Sequence, residues 1–194
     1  ENHYPRFMGW TRALEQLHMP YQVVIFGHPK LFPNEQMLER LSQYKVLVLP
    51  GVNCMTEAQA KAVKDFVDQG GTLVYSGDIG THNEDREPLE KPYFGNYPRL
   101  DRQSVGNGKV VGILDNDRNF HQAIYSGERF NPTDFHAMRE AMMWGVDGEP
   151  QVTSTAPPEV EFNVWISENK RSASMQVLNY DVDLARDYVE PLGD

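Results

Sequence analysis

The stretch Tyr44-Lys-Val-Leu-Val-Leu-Pro-Gly51, with Thr56-Glu-Ala-Gln after it and Phe66-Val-Asp-Gln-Gly-Gly-Thr-Leu-Val-Tyr-Ser-Gly77 closing it, constrains this chain most. It spells an apolar strand, a sharp turn, an amphipathic helix, a glycine stop and a second apolar strand. Such a unit is one crossover of a parallel sheet, and the turns after its strands lie at the edge where such sheets bind ligands. Val46 to Leu49 is continuously apolar, as suits a strand covered on both faces. Thr56 and Gln59 have capping-box spacing. Ala60, Val63 and Val67 line one helix face, with Lys61, Lys64, Asp65 and Asp68 on the polar side. Gly70 and Gly71 supply the left-handed stop, and Thr72 to Tyr75 is the next strand.

Around this unit the chain reads as an α/β domain over residues 1–150, followed by a β-rich extension over 151–194. Phe7, Trp10, Leu14 and Leu17 predict a first helix, leading through Pro20 into a strand from Gln22 to Phe26. Met37, Leu38 and Leu41 predict a short second helix. Glu84 to Asn107 is rich in charge, Pro and Gly and is expected to be one long loop. Val110 to Leu114 is a further strand. Asn131-Pro132-Thr133-Asp134 predicts a helix start with Asn131 as cap, and Phe135, Met138 and Met142 form its buried stripe. Val160 to Ser167 and Ser172 to Tyr180 alternate apolar and polar about Glu168-Asn169-Lys170, the pattern of a hairpin.

Composition narrows the partners. Among 194 residues, 18 are basic and 28 acidic, a formal charge of −10 that repels phosphate backbones and argues against nucleic acid. No run is long enough to span a membrane, and no signal peptide is visible. The chain opens Glu1-Asn2-His3 without an initiator Met, so a piece of a longer protein is expected. A single cysteine, Cys54, excludes an internal disulfide and any multi-cysteine zinc site.

The run from Tyr44 to Gly80 resembles the class I glutamine-amidotransferase-like, flavodoxin-like domain found as a middle or trimerisation module in family 42 β-galactosidases and related bacterial glycoside hydrolases. Gly9-Trp-Thr-Arg-Ala-Leu-Glu-Gln-Leu-His-Met-Pro-Tyr-Gln-Val-Val24 is similar to that family's helix and second strand. Ile166 to Asp183 resembles its closing strand and Asn-Tyr ending. The resemblance covers most of residues 7–180. It implies a three-layer, flavodoxin-like, mainly parallel sheet with a C-terminal β-hairpin extension. It further implies a non-catalytic module of a bacterial carbohydrate-active enzyme, supporting oligomerisation, domain packing or the rim of an active site. The implied partners are other domains of one parent chain, further copies in a homo-oligomer, and carbohydrate, with no cofactor. A bacterial periplasmic or secreted location is preferred to a cytoplasmic one.

Two departures from that family matter. A module of this type opens with a strand before its first helix, and Glu1 to Arg6 is too short and polar to supply one. The strand is expected upstream in the parent; without it sheet edges are exposed. True class I amidotransferases also carry a cysteine on a Gly-x-Cys-x-Gly elbow. Here the comparable turn is Ser76-Gly77-Asp78-Ile79-Gly80, where a carboxylate replaces the thiol and is a poor nucleophile toward amides.

Candidate site residues follow from the turns and the long loop. Cys54 lies before a helix N-terminus, where a thiolate is favoured, and His28 or His82 could act as its base. The plainer reading is a small turn residue beside surface histidines, and it is preferred because the elbow is absent. A small-molecule hydrolase or amidotransferase relative using Cys54 or the Asp78/His82 turn remains the alternative. Asn53, Ser76, Asp78 and His82 are the ligand-binding candidates of the two turns. Asp78, His82, Glu84 and Asp85 have ligand chemistry for a metal but no spacing that fixes a geometry, so no metal is expected. Asp115, Asn116 and Asp117 lack the remainder of a calcium loop and read as a turn. Tyr93, Phe94 and Tyr97 could stack on sugar rings, with Arg99 and Asp101 as polar partners, which gives a third reading as a sugar-binding module. Trp165 projects from the hairpin face opposite Val160, Phe162, Val164 and Ile166. It is the interface candidate, unless residues 181–194 fold back over it.

Overall fold

The computed structural model describes residues 3–25, 39–127, 132–150, 152–157, 159–167, 169, 171–179, 182–183 and 188–189. A four-stranded sheet runs in the order β1 (Val46–Pro50), β2 (Thr72–Ser76), β4 (Gly108–Ile113), β3 (Arg102–Val105). β1, β2 and β4 are mutually parallel, with Leu47 opposite Leu73 and Val74 opposite Val111, while β3 pairs antiparallel with β4. The chain is thus an α/β protein with a mainly parallel sheet. β2 lies between two parallel neighbours and is buried at all five positions, as its continuous apolar run requires.

Helices cover both faces. α1 (His3–Gln16), α3 (Asn116–Tyr125) and α4 (Pro132–Gly145) enclose a core of Trp10, Leu14, Val74, Val111, Phe120 and Met138. α2 (Glu57–Asp68) closes the other face over Val63, Phe66, Val67, Leu73 and Val110. Each such side chain, fully buried, contributes about 1.5–3 kcal/mol. The capping box at Thr56 forms as expected: its hydroxyl accepts from the Gln59 N–H at 3.1 Å, and the Gln59 side chain accepts from the Thr56 N–H at 3.0 Å. α4 begins at Pro132, while its expected cap Asn131 lies outside the described residues, as do His28, Met37 and Leu38. Leu41 is buried in a short 3-10 turn, Arg40–Gln43.

Three sequence expectations are corrected. Gln22 to Ile25 forms no strand, and Phe26 lies outside the described residues. The reason is a missing ladder. Among the described residues β1 pairs only with β2. Thr72 N–H donates to the Lys45 carbonyl and Gly51 N–H to the Ser76 carbonyl, both at 2.9 Å, so by alternation Val46 and Val48 turn their backbone groups away from β2. The His3 ring sits at the end of this edge, its Nδ1 2.9 Å from the Pro50 carbonyl.

The expected loop from Glu84 to Asn107 contains β3. It turns into β4 through Gly106 and Asn107, with Gly106 at φ 58°, the conformation a two-residue turn demands of its first position. The third correction is Asp115 to Asp117. This segment is no isolated turn but the start of α3, whose Phe120 and Ile124 enter the core.

The C-terminal segment folds as an antiparallel pair, β5 (Val160–Ile166) and β6 (Ala173–Asn179). Phe162 packs edge-on against the His18 ring with centroids 4.8 Å apart, and Arg12 bonds Glu161 at 2.7 Å. The outer half of the hairpin leaves Ile166, Met175 and Val177 50–58% exposed, and Trp165 55% exposed on the other face. Only the short pair β7 (Val182–Asp183) and β8 (Tyr188–Val189) of the following tail is described, and for its backbone alone.

Candidate functional site

The turns after β1 and β2 lie side by side at the carboxyl edge of the parallel sheet. Gly80 N–H donates to the Val52 carbonyl, and Thr81 and His82 N–H groups donate to Asn53, at 2.9–3.0 Å. Cys54 and His82 form an isolated parallel bridge. The two turns are therefore laced together by backbone bonds, which sets the relative positions of the candidate residues on them.

A buried polar network fills the space between these turns and the start of α3. Arg6 of α1 donates to Asp117 Oδ1 at 2.9 Å and to the Leu114 carbonyl at 3.1 Å, and it pairs with Asp115 as well. Ser76 donates to Asp117, and Trp10 Nε1 donates to Ser76 Oγ at 3.3 Å. Asp117 is wholly buried and also accepts the Arg118 N–H at 2.8 Å. Burial pushes its carboxyl above the ordinary aspartate value, against the pull of Ser76 and Arg6. Gly51 and Gly77, both at φ near 60°, leave room for the arginine: a β-carbon on Gly51 would stand 2.5 Å from Arg6 Cδ, and one on Gly77 2.8 Å from Cζ. The position that ligands occupy in open parallel sheets is thus taken by the protein's own guanidinium.

This network gathers Ser76, one of the sequence candidates, with three residues that sequence reasoning missed as partners: Arg6, Trp10 and Asp117. The usable signal was Asp-Asn-Asp between a strand and Phe120, a helix start rather than a turn.

The remaining candidates are held separately. Asp78 is exposed and paired with Arg99. The Asn53 amide, in the orientation that satisfies its neighbours, donates to the Gly51 and Asp78 carbonyls. Cys54 is exposed, and His82 Nδ1 is 2.9 Å from the Thr81 hydroxyl. Asn83 Oδ1 accepts from the Asp85 and Glu87 N–H groups, so Glu84 and Asp85 belong to a self-contained polar turn. Among the described residues no three His, Cys, Asp or Glu converge as a metal site.

The loop after this turn forms a groove against α2, of about 440 Å³. Phe94 is its anchor: buried beside Gly80, with the Lys64 ammonium 5.6 Å from its ring centroid. Tyr93 and Tyr97 stay half-buried along the groove, with Lys64, Asp68, Glu90 and Lys91. Tyr93 N–H donates to the Gly80 carbonyl at 2.9 Å, and Tyr75 bonds the Pro98 carbonyl. Burial, then the Asp68 carboxylate and Tyr75, push the Tyr97 phenol above its ordinary value, so it remains a protonated donor.

Residues 34–102, just over a third of the chain, match the family described as the beta-galactosidase trimerisation domain. Among solved structures, the chain is similar to the apo exo-carrageenase GH42 from Bacteroides ovatus, at 16% identity and TM-score 0.46, over 88% of this chain and 20% of that one. It is also similar to a catalytic mutant of Gan42B, a GH42 beta-galactosidase from G. stearothermophilus, at 16% identity and TM-score 0.49, over 80% of this chain and 28% of that one. The chain thus spans between a fifth and under a third of the length of these proteins. A comparison with curated proteins gives no match.

Proposed function

We propose that this chain is an amidotransferase-like, flavodoxin-like module that serves assembly and domain packing in a larger bacterial glycoside hydrolase and performs no chemistry of its own. The observation that carries this reading is Arg6, whose side chain lies across both Gly51 and Gly77 and fills the crevice where an open α/β sheet would take a substrate. The elbow position holds Asp78, tied to Arg99, instead of a thiol. Cys54 is exposed on the neighbouring turn, and His82 Nδ1 is engaged by the Thr81 hydroxyl. Residues 1–150 then form the module, and 151–194 its extension toward a neighbouring domain or copy.

The hairpin is the surface that this role uses. Val164, Ile166, Met175 and Val177 share one face by register, and Trp165 stands on the other, so one small core cannot cover both. The family description, a trimerisation domain, favours homo-oligomers. Light scattering over a concentration series tests the reading: the chain should associate, and Trp165→Ser should shift the molar mass toward the monomer. A chain that is monomeric at every concentration, before and after the change, removes the assembly role.

A further inference from the structure

We propose that the groove between α2 and the 90–97 loop is a binding subsite for a neutral oligosaccharide, a ligand class that rests on the module's assignment to a glycoside hydrolase. Its chemistry is mixed in a particular way. Lys64 and Lys91 supply two positive charges, Asp68 and Glu90 supply two negative ones, and the rings of Tyr93 and Tyr97 supply apolar wall. The charges balance, so the groove favours neither a phosphate nor a polycation. A bound hydroxyl array needs both acceptors and donors at short range, and carboxylates and ammonium groups provide them. A pyranose ring has an apolar C–H face as well as hydroxyls, and two half-buried tyrosines match that face.

The division of labour among the aromatics separates a binding wall from a mere anchor. A loop of this length needs one residue sunk in the core, and Phe94 is that residue. It packs so closely on Gly80 that a β-carbon there would stand 2.8 Å from its ring. Tyr93 is then fixed by its backbone bond to Gly80, and Tyr97 by its N–H to the Phe94 carbonyl at 2.9 Å. The main chain that carries both rings is therefore fixed, and the Tyr97 ring rests on Phe94 with centroids 5.4 Å apart, which lowers the ordering cost of binding.

The test is an NMR titration of the full chain with a neutral galacto-oligosaccharide, with sorbitol as a polyol control. Saturable shifts confined to amides of residues 64–68 and 90–97, absent with sorbitol, are expected. Tyr93→Ala should weaken binding at least tenfold. Glu90→Gln, at an exposed position, should weaken it severalfold with the fold intact. Absence of saturable shifts at tens of millimolar sugar, or an affinity in both Glu90→Gln and Tyr93→Ala unchanged from that of the unaltered chain, overturns the subsite. That failure leaves the molar-mass experiment untouched, so the subsite and the assembly role stand or fall separately.

Discussion

Arg6 is the residue on which the carboxyl edge of the sheet depends. It is the cation that a fully buried Asp117 requires, and its stem fills the room left by two glycines. Removing one partner of a buried pair leaves the other charge uncompensated, so Arg6→Ala is expected to cost about 3 kcal/mol in urea unfolding. The sign of its pH dependence follows from Asp117. Burial raises that carboxyl in the folded state, so its protonated form favours folding most below the ordinary aspartate value. That contribution is lost as pH rises through the raised value. Without Arg6 the carboxyl rises further, and the deficit of the variant should therefore shrink on acidification. A deficit that stays constant between neutral and acid pH would remove Asp117 as its cause. Nothing in the sequence tied Arg6 to Asp117, because 111 positions separate them and no local pattern spans that distance.

At the scale of elements, α1 is positioned by its closest contact. A β-carbon on Gly9 would lie 2.0 Å from the Asp117 carbonyl oxygen, so α1 meets the start of α3 backbone to backbone. Alanine at this position gains about 1 kcal/mol of helix propensity, but it forces the two helices apart. Overpacking of this kind costs about 1–3 kcal/mol, and because the obstacle is backbone the clash should win. Gly9→Ala should lower the thermal midpoint, and a raised midpoint would contradict the packing. The crossover β1–α2–β2 was legible because its apolar period, cap and stop agree with one another. The strand β3 was not: Arg102-Gln-Ser-Val105 is mostly exposed, so it lacks the apolar alternation that marks a half-buried strand. Its pairing with β4 supplies what its own composition does not. The segment Gln22 to Ile25 failed in the opposite sense. Its composition is that of a strand, but among the described residues it does not pair with the outward edge of β1.

At the scale of the whole molecule, the hairpin is joined to the α/β layers through the inner end of β5. Phe162 on His18, just past the end of α1, and Glu161 on Arg12 of α1 are two contacts that hold β5 to the α/β layers. The edge-on ring contact contributes about 1 kcal/mol beyond its area. Phe162→Ala should raise the undocked population roughly tenfold, each tenfold step being about 1.4 kcal/mol. Limited proteolysis between residues 150 and 160 should accelerate accordingly, while the sheet keeps its melting temperature. Unchanged cleavage would mean that docking rests on other contacts. The outer half of the hairpin keeps apolar groups exposed on both faces.

The sequence by itself determined the parallel crossover, the adjacency of its two turns, the α4 start at Pro132 and the hairpin alternation, since each of these is set by residues close together in the chain. Only the tertiary structure decided that Arg6 fills the crevice, that Asp117 is buried beneath it, and that Phe94 rather than Tyr93 or Tyr97 anchors the long loop. Those outcomes depend on which side chain reaches a shared space once α1, α3 and the strand turns are packed together. That is a property of three-dimensional proximity, and neither hydrophobic period nor capping chemistry encodes it.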